Sequence, residues 1–67
     1  MVEAGVYLHY KGFVCSVIGV GEHTETGEPF VVYSEHDKIW IRPLSVFEQQ
    51  VEVSGVRVPR FQRVEGR

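Results

Sequence analysis

The side chains in this sequence that could do chemistry are few and scattered. Three histidines, His9, His23 and His36, and a single cysteine, Cys15, are accompanied by carboxylates such as Glu25 and Asp37. Metal binding by these residue types needs ligands at set spacings, such as Cys-x-x-Cys or His-x-x-x-His, and neither pattern occurs. One cysteine cannot form an internal disulfide. No metal and no cofactor is expected. Nucleophilic catalysis requires a nucleophile, a base and a group that orients the base. Ser16 and His9 share a face in the simplest register of the first hairpin, but no orienting acid or oxyanion hole accompanies them. With 67 residues the chain also has little volume for the cleft of about 300 Å³ or more that ligands usually occupy. These features speak against an enzyme.

Binding suits the composition better. Tyr7, His9, Tyr33, Trp40 and Arg42 combine aromatic stacking surface with a guanidinium fork, the residue types of recognition hot spots. In that reading Trp40 and Tyr33 stack, Arg42 pairs an anion or a carbonyl, and His9 donates or accepts a hydrogen bond. His23 and Glu25, in the "HTET" segment, are further candidates because loops on rigid scaffolds carry function. The commoner role for such a segment is a turn held by its own side chains.

These residues must be positioned by short strands. Val6, Leu8 and Tyr10 alternate with Tyr7 and His9, the period of a half-buried strand. With Lys11-Gly12 as a two-residue turn, Tyr10 meets Phe13, Leu8 meets Cys15 and Val6 meets Val17 on the core face. Tyr7, His9, Val14 and Ser16 then lie on the wetter face. A loop follows at Gly27 and Pro29, then strands "FVVYS" and "KIWIR", the latter closed by Pro43, which holds Arg42 extended. A four-residue loop over 35–38 pairs Tyr33 with Trp40 and Val31 with Arg42, leaving Phe30, Val32, Ile39 and Ile41 for the core. A three-residue loop would send Trp40 inward instead.

Ser45 and Glu48 have capping-box spacing, which predicts one helical turn offering Leu44 and Phe47 to the interior. A two-residue Ser54-Gly55 turn puts Val53 against Val56, Val51 against Val58 and Glu52 against Arg57. About five short strands, one helical turn and the short length predict a mainly β domain over 1–67, a small SH3-like barrel. An oligonucleotide-binding barrel usually needs a longer chain.

Net charge is −2, and it is unevenly spread. Glu22, Glu25, Glu28, Glu35 and Asp37 follow one another without a lysine or arginine between them, a segment that would repel phosphate. Arg57, Arg60, Arg63 and Arg67 then make a basic C-terminal stretch that could neutralise phosphates, with aromatic residues for base stacking. A pI near 5.8 runs opposite to the basic footprint of a nucleic-acid binder, so a nucleic-acid accessory role is the alternative and a peptide, protein or small polar ligand the main expectation. No apolar run approaches the roughly 20 residues of a membrane span. With a lone cysteine and no leader pattern, the expected setting is the cytoplasm, without a membrane partner.

Spaced along the chain, Gly5-x-Tyr7-x-His9-Tyr10-Lys11-Gly12, Val17-x-Gly19-Val20, His23-Thr24-Glu25-Thr26, Val32-Tyr33, Trp40-x-Arg42-Pro43-Leu44-x-x-Phe47 and Val58-Pro59-Arg60-Phe61 together resemble a small bacterial family. That family is known as a domain of unknown function, and its members are similar to SH3-type barrels. The resemblance runs from Gly5 to about Val64 and implies fold, not activity. The sequence departs from the family pattern at "SEHDK", Ser34 to Lys38, where a longer and less charged loop would be expected.

Overall fold

The computed structural model describes residues 2–64. Its strands are β1 Gly5–His9, β2 Val14–Glu22, β3 Pro29–Glu35, β4 Lys38–Pro43, β5 Gln50–Val53, β6 Val56–Pro59 and β7 Phe61–Arg63, with one helical turn, α1, at Leu44–Phe47 between β4 and β5. The mainly β class with a single short helix is as expected. The described strands number seven rather than about five: the last hairpin supplies two, β5 and β6, and the chain resumes after Arg60 as β7.

They form two antiparallel sheets, one of five strands in the order β4-β3-β2-β1-β7 and one made of β5 and β6. The larger sheet is not closed into a barrel, since β4 and β7 remain its two edges. It does curl. Arg42 of β4 reaches across to lie over the ring of Phe61 of β7, 5.6 Å from its centroid.

The interior is built from one face of this sheet and capped by α1. Tyr7, Cys15, Val17, Val31, Tyr33, Phe47 and Phe61 form the buried cluster, and Val2, Val20 and Leu44 pack against it. Phe47 stacks on Phe61 with centroids 4.1 Å apart and planes at 5°, and Tyr7 meets Phe47 edge-on at 5.5 Å. Leu44 and Phe47 thus point inward as their spacing predicts. The capping box does not form: Pro43 occupies the N-cap position and no side chain caps the turn. Four residues entered directly from a strand leave Ser45 inside the helix rather than before it.

The first hairpin departs from expectation by one residue. Gly12 N–H donates to the His9 carbonyl at 2.8 Å and His9 N–H to that of Phe13 at 2.8 Å, so the loop holds Tyr10, Lys11 and Gly12. Gly12 sits at φ 102°, a conformation that glycine adopts without the steric cost of a Cβ. The register pairs Tyr7 with Cys15 and Val6 with Ser16. A one-residue slip exchanges the two faces of a strand. Tyr7 and His9 are therefore buried beside Cys15 and Val17, whereas Val6, Leu8 and Tyr10 are exposed.

The β3–β4 register is the expected one, with Tyr33 opposite Trp40 and Val31 opposite Arg42. His36 and Asp37, at φ 54° and 64°, make the tight turn. The facing is reversed, because Val17 of the core pairs with Tyr33 and brings β3's odd-numbered residues inward. Phe30 and Val32 are only half-buried, and Ile39 and Ile41 lie outside at 63% and 64% exposure. The β5–β6 hairpin matches expectation in every pair.

Candidate functional site

The five residues singled out for binding fall into two groups. Tyr7, His9 and Tyr33 belong to the interior, which corrects the expectation that they share an outer face. Trp40 and Arg42 remain accessible on β4, at 45% exposure for Trp40. They sit two residues apart on the strand and so share a face, together with Lys38, whose ammonium lies 6.0 Å from the Trp40 ring. The Trp40 indole N–H donates to the Glu35 carbonyl at 3.1 Å, which fixes the ring against the β3–β4 turn.

Arg42 is held by the core. Its Nε donates to the Tyr33 hydroxyl at 3.3 Å while its guanidinium lies over Phe61, and the stack on Phe47 fixes Phe61 in turn. No carboxylate lies within 4.0 Å of Arg42 among the described residues, whose ion pairs are His36–Glu35 and Arg63–Glu3. A second guanidinium, that of Arg60, is placed by its backbone bond to Gln49 at 2.9 Å and by Nη2 donating to Gln49 Oε1 at 3.1 Å. Its Nε is shielded from solvent and has no partner among the described residues.

His9 lies between these cations and the hairpin. Its ring stacks on Phe13 at 4.3 Å and meets Phe61 edge-on at 4.8 Å, and its Nδ1 accepts the Lys11 backbone N–H at 3.1 Å. Burial lowers its pKa below the usual 6.5, and the positive charges of Arg42, Arg60 and Lys11 add to the effect while Glu35 opposes it. It is a neutral histidine packed as an aromatic. Ser16 projects from the opposite face of the sheet, so the Ser16 and His9 pair does not assemble. Cys15 is buried as expected, and burial pushes its thiol up to about 11, with Glu35 adding and Arg42 opposing.

His23 and Glu25 lie apart from this cluster, in the β2–β3 loop. His23 Nδ1 accepts the backbone N–H groups of Glu25 and Thr26 at 3.1 and 3.4 Å, and Thr26 Oγ1 accepts that of Glu28 at 3.1 Å. The segment is a turn held by its own side chains. Among the described residues no three of histidine, cysteine, aspartate and glutamate gather as a metal site.

The domain does have a concavity of about 300 Å³, larger than its length suggests, between the outer face of β1 and the β5–β6 hairpin. Leu8, Tyr10, Val53, Val58 and Pro59 line most of it, and no charged side chain does. His9 and Gln62 are the polar side chains on its wall, and neither Trp40 nor Arg42 lines it. Sequence reasoning missed Lys38 as a member of the β4 row and Phe61 as the platform under Arg42. The only signal for the latter was the Val58-Pro59-Arg60-Phe61 motif, whose partner in space lies far away in the chain.

No helix among the described residues is long and apolar enough to cross a membrane. A crystal structure of a DUF1653 protein from Bordetella bronchiseptica is similar to this chain, with a TM-score of 0.82 and 30% identity over 94% of this chain and 87% of the other. No curated protein matches the chain. The family model described as "Protein of unknown function (DUF1653)" matches residues 5–63, and the chain belongs to that family.

Proposed function

We propose that this domain is a binding module that takes a carboxylate-bearing peptide or protein segment at the Trp40 and Arg42 face of β4. The observation that carries this reading is the state of Arg42. Its guanidinium is oriented by Tyr33 and Phe61, beside a half-exposed tryptophan, and it has no carboxylate partner among the described residues. Ordering an arginine costs side-chain entropy, and an oriented guanidinium is set to make two parallel hydrogen bonds to an incoming carboxylate. Trp40 supplies the stacking surface. In this version of the site Tyr7, His9 and Tyr33 act from behind, as the packing that aims Arg42, rather than as contacts.

The nucleic-acid alternative requires a common stripe of Arg57, Arg60 and Arg63. Arg57 pairs across β5–β6 with Glu52, Arg63 donates to Glu3 at 2.8 Å, and Arg60 is bonded to Gln49. Their dispersal over two sheets favours the peptide reading.

The test is titration with short oligoglutamate and oligolysine peptides, read from the emission of Trp40, the single tryptophan. Oligoglutamate should shift the emission, Arg42→Gln should abolish the shift with the far-UV spectrum unchanged, and oligolysine should do nothing. An equal response to both peptides, or a full response in the Arg42→Gln variant, would dismiss the reading.

A further inference from the structure

Resting on the reading above, we infer that the ligand is an extended strand with acidic and aliphatic residues in alternation, and that it binds by adding to the open edge of β4. The two edges of the large sheet are unlike. β7 is three residues long, and Arg63 near its end is tied to Glu3, the short and charged form in which edges are usually protected. β4 runs for six residues, from Lys38 to Pro43, and carries the uninterrupted apolar run Ile39-Trp40-Ile41 between Lys38 and Arg42. Its charges and its proline flank that run rather than break it. Both isoleucines are more than 60% exposed. Such an edge presents alternate unpaired N–H and C=O groups to any strand that approaches.

The side chains of β4 specify what that strand must carry. Lys38, Trp40 and Arg42 lie on one face, and Ile39 and Ile41 on the other. A neighbour in register therefore needs carboxylates beside Lys38 and Arg42, an aromatic or other flat group beside Trp40, and aliphatic side chains beside the isoleucines. A second copy of this chain does not meet the requirement. The antiparallel register that pairs β4 with itself over residues 38–42 centres on Trp40 and sets Lys38 directly opposite Arg42 twice. Like charges so placed are destabilising. Charge complementarity thus selects an acidic strand over self-association.

The probe is the peptide acetyl-Glu-Ile-Tyr-Val-Glu-amide, with two backbone N-methylated versions, one carrying methyl groups on the odd residues and one on the even. Strand addition uses the N–H groups of alternate residues only, so one methylated version should bind like the parent and the other should bind at least about tenfold more weakly. β4 amides that lack a β3 partner should become protected from hydrogen exchange when the parent binds. If both methylated versions bind like the parent and Arg42→Gln still abolishes binding, the acidic-ligand reading survives and strand addition is wrong. If the parent does not bind while oligoglutamate does, strand addition is likewise overturned. If β4 amides are protected without peptide, in proportion to the formation of a dimer by sedimentation, the edge belongs to a second copy and the inference fails.

Discussion

Replacing Phe47 tests whether the single helical turn holds the aromatic interior and, through it, Arg42. The side chain is 2% exposed, stacks on Phe61 at 4.1 Å and meets Tyr7 edge-on at 5.5 Å. Truncating a buried phenylalanine to alanine costs about 3–5 kcal/mol, and three ring partners, Tyr7, Tyr33 and Phe61, place Phe47→Ala in the upper half of that range. A chain of 67 residues, at roughly 0.05–0.15 kcal/mol per residue, holds about 3–10 kcal/mol in all. The alanine variant should therefore lose between a large fraction and the whole of its stability. Phe47→Leu keeps most of the volume and loses mainly the ring pairing, a cost of about 1–1.5 kcal/mol. Urea unfolding followed by far-UV circular dichroism separates the two. The leucine variant should show a lowered midpoint with an unchanged slope, and the alanine variant either a far lower midpoint or no cooperative transition. An alanine variant within about 1 kcal/mol of the parent, at equal slope, would refute the reasoning. Phe61 and Arg42 would then be held by something other than α1.

Two further outcomes follow from the buried titratable groups. His9 has a folded pKa below the ordinary 6.5, so as pH falls through that value the unfolded chain takes up the proton first and unfolding gains. The His9 contribution should be level above about pH 7 and decline below 6.5 toward the lower folded value. His9→Phe, which can keep the stack on Phe13, should lessen the decline, and an undiminished slope in the variant would contradict the assignment. Cys15, with its thiol raised to about 11, carries almost no thiolate at pH 8 and is sealed in the core. A disulfide reagent should label it only on the timescale of unfolding. Rapid labelling of the native protein would show that the interior opens locally there.

Much of the local structure was legible in the sequence. The β5–β6 hairpin was readable to the residue, because Ser54 and Gly55 can both take the positive φ that a two-residue turn demands, here 52° and 81°. Of the two loop lengths open for β3–β4, the structure has the pairing of the four-residue one, Tyr33 opposite Trp40. What misled was the segment "YKGF", which closes equally well as a loop of two residues or three. The two closures present opposite faces of β1, and both faces carry large apolar or aromatic side chains. Hydrophobic alternation cannot choose between faces that are both hydrophobic. The capping box failed for a related reason, since Pro43 continues β4 directly into α1 and leaves no separate N-cap residue.

The sequence by itself determined the mainly β class and the pairing of two hairpins, β3–β4 and β5–β6, which rest on interactions between near neighbours in the chain. Only the tertiary structure decided which face of each strand is interior. Phe47 and Phe61 supply the aromatic surface that Tyr7, His9 and Tyr33 cover, and they come from α1 and β7, beyond the reach of any local pattern. The same contacts turn Arg42 from one of several arginines in the sequence into a guanidinium fixed over a ring. Its position depends on the curl that brings the two edges of one sheet together, and that curl is a property of the packed core rather than of any segment.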